Sequence, residues 1–150
     1  MKELYDQIKS RYSLPDYDSL NRLFEISTLE DDEFLVRSIR SRILERLERH
    51  IKIIDDLVHG EGSFASLHEL SSVDEILRDK IFKVYSRFMF LSREALELSL
   101  KEDDDKSAKF INKVFQEWDE LMLIMSSIVL ALKNSWKDEI KLKEQLKYLG

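Results

Sequence analysis

Between Arg37 and Lys52 the chain sets six basic side chains against two acidic ones, in a sequence whose formal net charge is −6. At about 100° per residue, Arg42, Arg46 and Arg49 fall on one helical stripe beside an apolar face. Arg37 and Arg40 fall on the other flank of that face. Guanidinium forks match phosphates and carboxylates. Arg37, Arg40, Arg42, Arg46 and Arg49 are therefore the candidate patch for a nucleic acid or another anionic partner. The competing destination is internal: the chain has 30 acidic and 24 basic residues, so acids at i,i+4 or on neighbouring helices can take these arginines. No aromatics interleave them as single-strand binding would require.

Asp55 and His59 stand one helical turn apart, Glu61 follows, and His68 and Glu69 come next in the chain. A carboxylate and an imidazole at i,i+4 can share a metal ion, which makes Asp55, His59 and His68 the candidate ligands. The spacing lacks a His-Glu-x-x-His motif and the Glu-x-x-His pairs of di-iron bundles. His59 near a helix C-terminus is also accounted for by the helix dipole. Asp103, Asp104 and Asp105 lack the glycine and closing glutamate of a calcium loop and read as a solvated turn. No serine sits in a nucleophile elbow, no glycine-rich loop precedes a helix, and there is no cysteine. An enzyme is the disfavoured class, and no cofactor is expected.

The elements that must position these residues are helices. Three glycines and one proline leave little material for the tight turns of a many-stranded fold. Residues 1–12 read as a short helix broken at Pro15, which lacks an N–H and pushes Leu14 out of the α region. A second short helix covers Asp16 to Phe24. Ser27 or Thr28 opens a long helix, and Ser27 with Glu30 has capping-box spacing. Its apolar positions Val36, Ile39, Ile43, Leu47, Ile54 and Leu57 share one face, and Gly60 supplies a left-handed cap.

Ser63 to Leu70 reads as an apolar connector. Ser72 with Glu75 opens a second long helix running to about Leu100. Its apolar set includes Ile76, Ile81, Val84, Phe88 and Leu91; the aromatics, Phe82 among them, read mostly as core, with Phe90 and Phe115 near the edges of their stripes. A third helix covers about Lys106 to Lys133, with Phe110, Val114, Trp118, Leu121, Met125, Ile128 and Leu132 in phase. Asn134-Ser135 interrupts it. Ser135, supported by Asp138, caps a last helix from Trp136, with Trp136, Ile140, Leu146 and Leu149 as its seam.

Short connections make sequential helices antiparallel neighbours. The expected fold class is all-α: an up-down bundle of three long helices plus short N- and C-terminal helices, forming one domain over residues 1–150. The absence of cysteine and of an apolar leader fits a reducing cytoplasm. No apolar run is long enough to span a bilayer.

The stretch Leu14-Pro15-Asp16-Tyr17-Asp18-Ser19-Leu20-Asn21, with Asn134-Ser135-Trp136-Lys137, resembles small uncharacterised archaeal helical proteins. The resemblance supplies no activity and no functional residues. The wide apolar faces and separated charge clusters, without catalytic chemistry, make a protein–protein interaction or self-assembling module the expected function. A nucleic-acid-associated protein using the Arg37–Arg49 stripe is the alternative.

Overall fold

The computed structural model describes residues 1–30, 32–59, 62–137 and 139–149, and of Glu139 and Leu149 only the backbone. Among these residues there are seven α-helices and no strand: α1 (Lys2–Tyr12), α2 (Tyr17–Phe24), α3 (Leu35–Val58), α4 (Phe64–Ser71), α5 (Glu75–Leu100), α6 (Asp104–Ser135) and α7 (Glu139–Leu149). The all-α class is as expected. No helix among the described residues is long and apolar enough to cross a membrane.

The break at Pro15 also anchors the chain. Ser13 closes α1 in the left-handed region at φ 53°. The Tyr5 hydroxyl then donates to the Pro15 carbonyl at 2.7 Å, and the Tyr5 ring stands edge-on to Tyr17 at 5.4 Å. Burial, then Asp16 and Asp6, hold the Tyr5 proton well above the ordinary phenol range. Asp16 caps α2 by accepting from the Ser19 N–H at 2.9 Å, the expected work of an Asp at an N-cap.

Helix α3 starts at Leu35 rather than at Ser27 or Thr28. Glu25 ends α2 in the left-handed region at φ 54°, and the Asn21 side-chain oxygen accepts the Ser27 N–H at 2.8 Å. That bond draws Ile26–Thr28 into a 3₁₀ turn, so the Ser27–Glu30 box does not open the helix. Asp32 instead accepts from the Phe34 N–H at 2.8 Å.

Ser63 to Leu70 is a helix and not a connector, because Ser63 accepts the Ser66 N–H as an N-cap. Ser72 closes this helix. The cap of α5 is Asp74, which accepts from the Leu77 N–H at 2.8 Å. Helix α6 runs through Asn134-Ser135, and the Ser135 hydroxyl donates back to the Leu132 carbonyl at 2.6 Å. Trp136 lies in the turn beyond it. The Gly60 cap, the Asp138 support and the Leu149 side chain lie outside the described residues.

The chain divides into two compact units, Met1–His50 with Phe88–Asp119, and Ile51–Arg87 with Glu120–Gly150. The first holds α1, α2, the start of α3, the end of α5 and the start of α6. Its core is aromatic-rich: Tyr5, Phe24, Phe88 and Phe110 are fully buried, with Ile39, Ile43, Leu47 and Leu91 between them. Trp118 is 4% exposed and meets Phe24 edge-on at 4.9 Å. The His50 ring stacks on Phe88 at 5.6 Å, and burial, then Arg46 and Arg49, hold its proton affinity below the ordinary histidine range.

The second unit packs the end of α3, α4, the start of α5, the end of α6 and α7. Its buried hydrophobic side chains are aliphatic or methionine: Ile54, Leu57, Ile81, Val84, Met125 and Ile128 among them. The expected phases of α3 and α6 hold in both units. The phase of α5 fails at two places: Ile76 is 70% and Phe82 72% exposed, because the buried stripe runs through Leu77, Ile81 and Val84.

Trp118→Ala removes a large, edge-packed ring from the first unit. It is expected to cost about 3–5 kcal/mol in urea unfolding. A cost below about 1 kcal/mol would mean that the ring does not hold the core.

Candidate functional site

In the first unit, four of the five candidate arginines are engaged by their own chain. Arg40 is only 3% exposed. Its guanidinium makes a bidentate pair with Glu102 at 2.6 and 2.8 Å. It also donates to the Ser107 hydroxyl at 2.9 Å and the Leu98 carbonyl at 3.5 Å. Arg37 pairs with Asp104 at 3.0 Å and lies 3.7 Å from Glu102. The Arg40 hydrogen bond holds the Glu102 carboxyl below the usual carboxylate range. Glu102 and Asp104 thus form the acidic half of this pairing, and Asp103 accepts from the Lys106 N–H. Within the 101–105 segment Lys101, Glu102 and Asp105 are exposed, as expected of a solvated turn, but Glu102 and Asp104 also hold ion pairs.

On the other flank, Arg42 reaches the open end of α2. It donates to the Phe24 and Glu25 carbonyls at 3.5 and 3.4 Å and to the Thr28 hydroxyl at 3.0 Å. A cation at the last carbonyls of a helix also offsets the negative end of the dipole. Arg46 pairs with the Glu25 carboxylate. Arg49 is exposed and makes no ion pair among the described residues. The stripe that sequence spacing groups together is thus divided between two internal acceptor sets.

In the second unit the candidate metal ligands go separate ways. Asp55 accepts a hydrogen bond from the Tyr85 hydroxyl at 2.7 Å. His59 is exposed on the rim of a groove of about 220 Å³, floored by Ile54, Val58, Ile81 and Phe82. His68 is fully buried. Its Nδ1 meets the Gln145 side-chain oxygen at 2.5 Å and its Nε2 the Ser135 carbonyl at 2.8 Å. No cluster of three His, Asp or Glu side chains able to hold a metal ion is present among the described residues.

What the second unit displays is apolar surface. Most of the large hydrophobic side chains exposed among the described residues belong to it. On α6, Leu123 is 72% and Leu130 52% exposed, with Ser127 between them on the same face. Helices α5 and α6 are joined by residues 101–103 and run antiparallel. In this unit Lys83 of α5 pairs with Glu120 of α6 at 3.7 Å. Ile76 lies seven residues before Lys83 on one face, and Leu123, Ser127 and Leu130 share the face of Glu120. The pair therefore joins two outward stripes into one surface. Sequence periodicity missed this surface by assigning Ile76 to the core and by reading Leu123 and Leu130 only as part of an apolar run.

Removal of Glu102 leaves a buried guanidinium with neutral acceptors alone. Glu102→Ala is expected to lower stability by about 3 kcal/mol, while Arg49→Ala changes it by less than about 0.5 kcal/mol. Chemical denaturation of the two variants checks this. Equal small effects would mean that Ser107 and Leu98 suffice for Arg40. The Glu102 contribution is present above the ordinary glutamate range and is lost as pH falls through its lowered value.

No family model matches the chain, and neither does any curated protein or solved structure. Each role assigned to a residue rests on the geometry above.

Proposed function

We propose that the protein is a self-associating helical module, and that the α5–α6 face of the second unit is its contact surface. The observation that carries this reading is the exposure of Ile76, Leu123 and Leu130 on adjoining stripes. Side chains of this size gain about 1.5–3 kcal/mol each when fully buried, so covering them is a substantial drive. The second unit also has no aromatic among its buried hydrophobic side chains and gains most from a cover.

The occupant favoured by the rim is a second copy. Asp79, Lys80, Lys83 and Glu120 are all exposed and give two charges of each sign around the apolar centre. A face of that kind is self-complementary under a two-fold axis, where each residue on one copy meets its counterpart's partner on the other. The internal partners of Arg37, Arg40, Arg42 and Arg46 favour this reading over recognition of a nucleic-acid backbone, which would have to draw those arginines away from their carboxylates and carbonyls.

The expected native mass is a multiple of the 17.9 kDa chain, measured by sedimentation equilibrium. The pair Leu123→Lys and Leu130→Lys is expected to return it to one chain with unchanged helix content. A single-chain mass at every concentration in the unsubstituted protein would overturn the proposal.

A further inference from the structure

The groove between the end of α3 and the start of α5 is apolar along its floor and polar at its ends. Ile54 and Ile81 are buried beneath it, while Val58 is 45% and Phe82 72% exposed along it. Asp55 and His59 stand one turn apart on α3, and Arg78 and Tyr85 two turns apart on α5. All four line the groove. The Tyr85 hydroxyl donates to Asp55 at 2.7 Å, which fixes a carboxylate at one end of these spans. His59 and Arg78 stand at their other ends, Arg78 about 10 Å from Tyr85 along the helix axis.

Arg37, Arg40, Arg42 and Arg46 each hold a carboxylate. Arg78 is exposed and holds no ion pair among the described residues. Its planar guanidinium presents parallel N–H donors that match one carboxylate, and the His59 imidazole adds an N–H in either protonation state. Asp74 and Glu75 lie one turn before Arg78 and are exposed. Their charge suits this end to one negative charge rather than to the two of a phosphate monoester. The groove holds about 220 Å³. A cavity of roughly 150 Å³ lined by aliphatic and aromatic side chains takes benzene, so the space fits one ring with a short arm. Phe82 supplies an aromatic contact for that ring, and Asp55 bars a second anion from the far end.

We propose that this groove binds a small organic monoacid: one ring seated over Ile54, Val58, Ile81 and Phe82, with a short carboxylate arm held by Arg78 and His59. The site does not depend on self-association. At about 100° per residue Arg78, Phe82 and Tyr85 fall on the flank of α5 away from Ile76 and Lys83. The acid and a second copy of the chain therefore use different flanks of one helix.

The test is methyl-resolved NMR of the full chain titrated with 3-phenylpropanoate and, separately, with the neutral 3-phenylpropan-1-ol. It is run at a protein concentration where the native mass is constant, which separates it from self-association. A ligand of this size is expected to saturate in the ~mM range. The expected result is saturable shifts at the methyls of Ile54, Val58 and Ile81, with the acid bound about tenfold more tightly than the alcohol. Arg78→Gln is expected to remove that preference and leave the alcohol unchanged. Phe82→Ala is expected to weaken both probes by a similar factor. Both side chains are exposed, so neither change removes core packing, and unchanged helix content checks this. No saturation, shifts confined to Ile76, Leu123 and Leu130, or equal affinity for acid and alcohol would overturn the proposal. So would a preference for the acid that survives Arg78→Gln, or probes indifferent to Phe82→Ala. Groove methyls that shift with protein concentration alone would assign the groove to a second copy and overturn it as well.

Discussion

Arg40 is the constraint around which the first unit is arranged. A guanidinium that is almost wholly buried must have fixed partners, because an unpaired buried charge costs several kcal/mol. Its partners come from the end of α5, the turn after it and the start of α6: Leu98, Glu102 and Ser107. One side chain of α3 therefore fixes where the other two long helices meet. Arg37 reinforces the same corner through Asp104. On the opposite flank Arg42 and Arg46 close the end of α2. The most basic segment of the sequence is the internal framework of this unit, and the planar forks that suit phosphates here organise carbonyls and carboxylates.

The two units differ in what they leave to solvent. The first fills its interior with Tyr5, Phe24, Phe88, Phe110 and Trp118, large rings that remove much apolar area from water. The second buries smaller aliphatic side chains and leaves Ile76, Phe82, Leu123 and Leu130 uncovered. Its polar interior, centred on His68, ties α4 to the end of α6 and to α7 by hydrogen bonds. Close packing of large rings and exposed apolar surface thus fall in different parts of one chain.

The sequence made the long helices and the core stripes of α3 and α6 legible, because burial imposes a 3.6-residue period that Ile39, Ile43, Leu47, Val114, Trp118 and Leu121 follow. Helix ends were less legible. Ser27–Glu30 and Ser72–Glu75 have the right spacing, but Asn21 and Asp74 offered competing acceptors that spacing alone does not rank. The stripe of α5 was read too wide: near its start the buried face runs through Leu77, Ile81 and Val84, and Ile76, about 100° round from Leu77, falls outside it. The site was least legible. Arg40 and Glu102 are 62 residues apart and His68 and Gln145 are 77 apart, and residue types carry no sign of such pairings. The arginines were visible as a group; their partners were not.

The central claim is that recognition by this protein is apolar and lies on the second unit, while the arginines of the first are internally engaged. Methyl-resolved NMR of the full chain, titrated in protein concentration at low salt and at ~1 M salt, where the screening length falls to about 3 Å, tests it most directly. The account predicts concentration-dependent shifts at Ile76, Leu123 and Leu130 that persist in high salt, with the methyls beside Arg37 to Arg49 unmoved. Shifts centred on the arginine helix and abolished by salt, or no shift at any concentration, would contradict it.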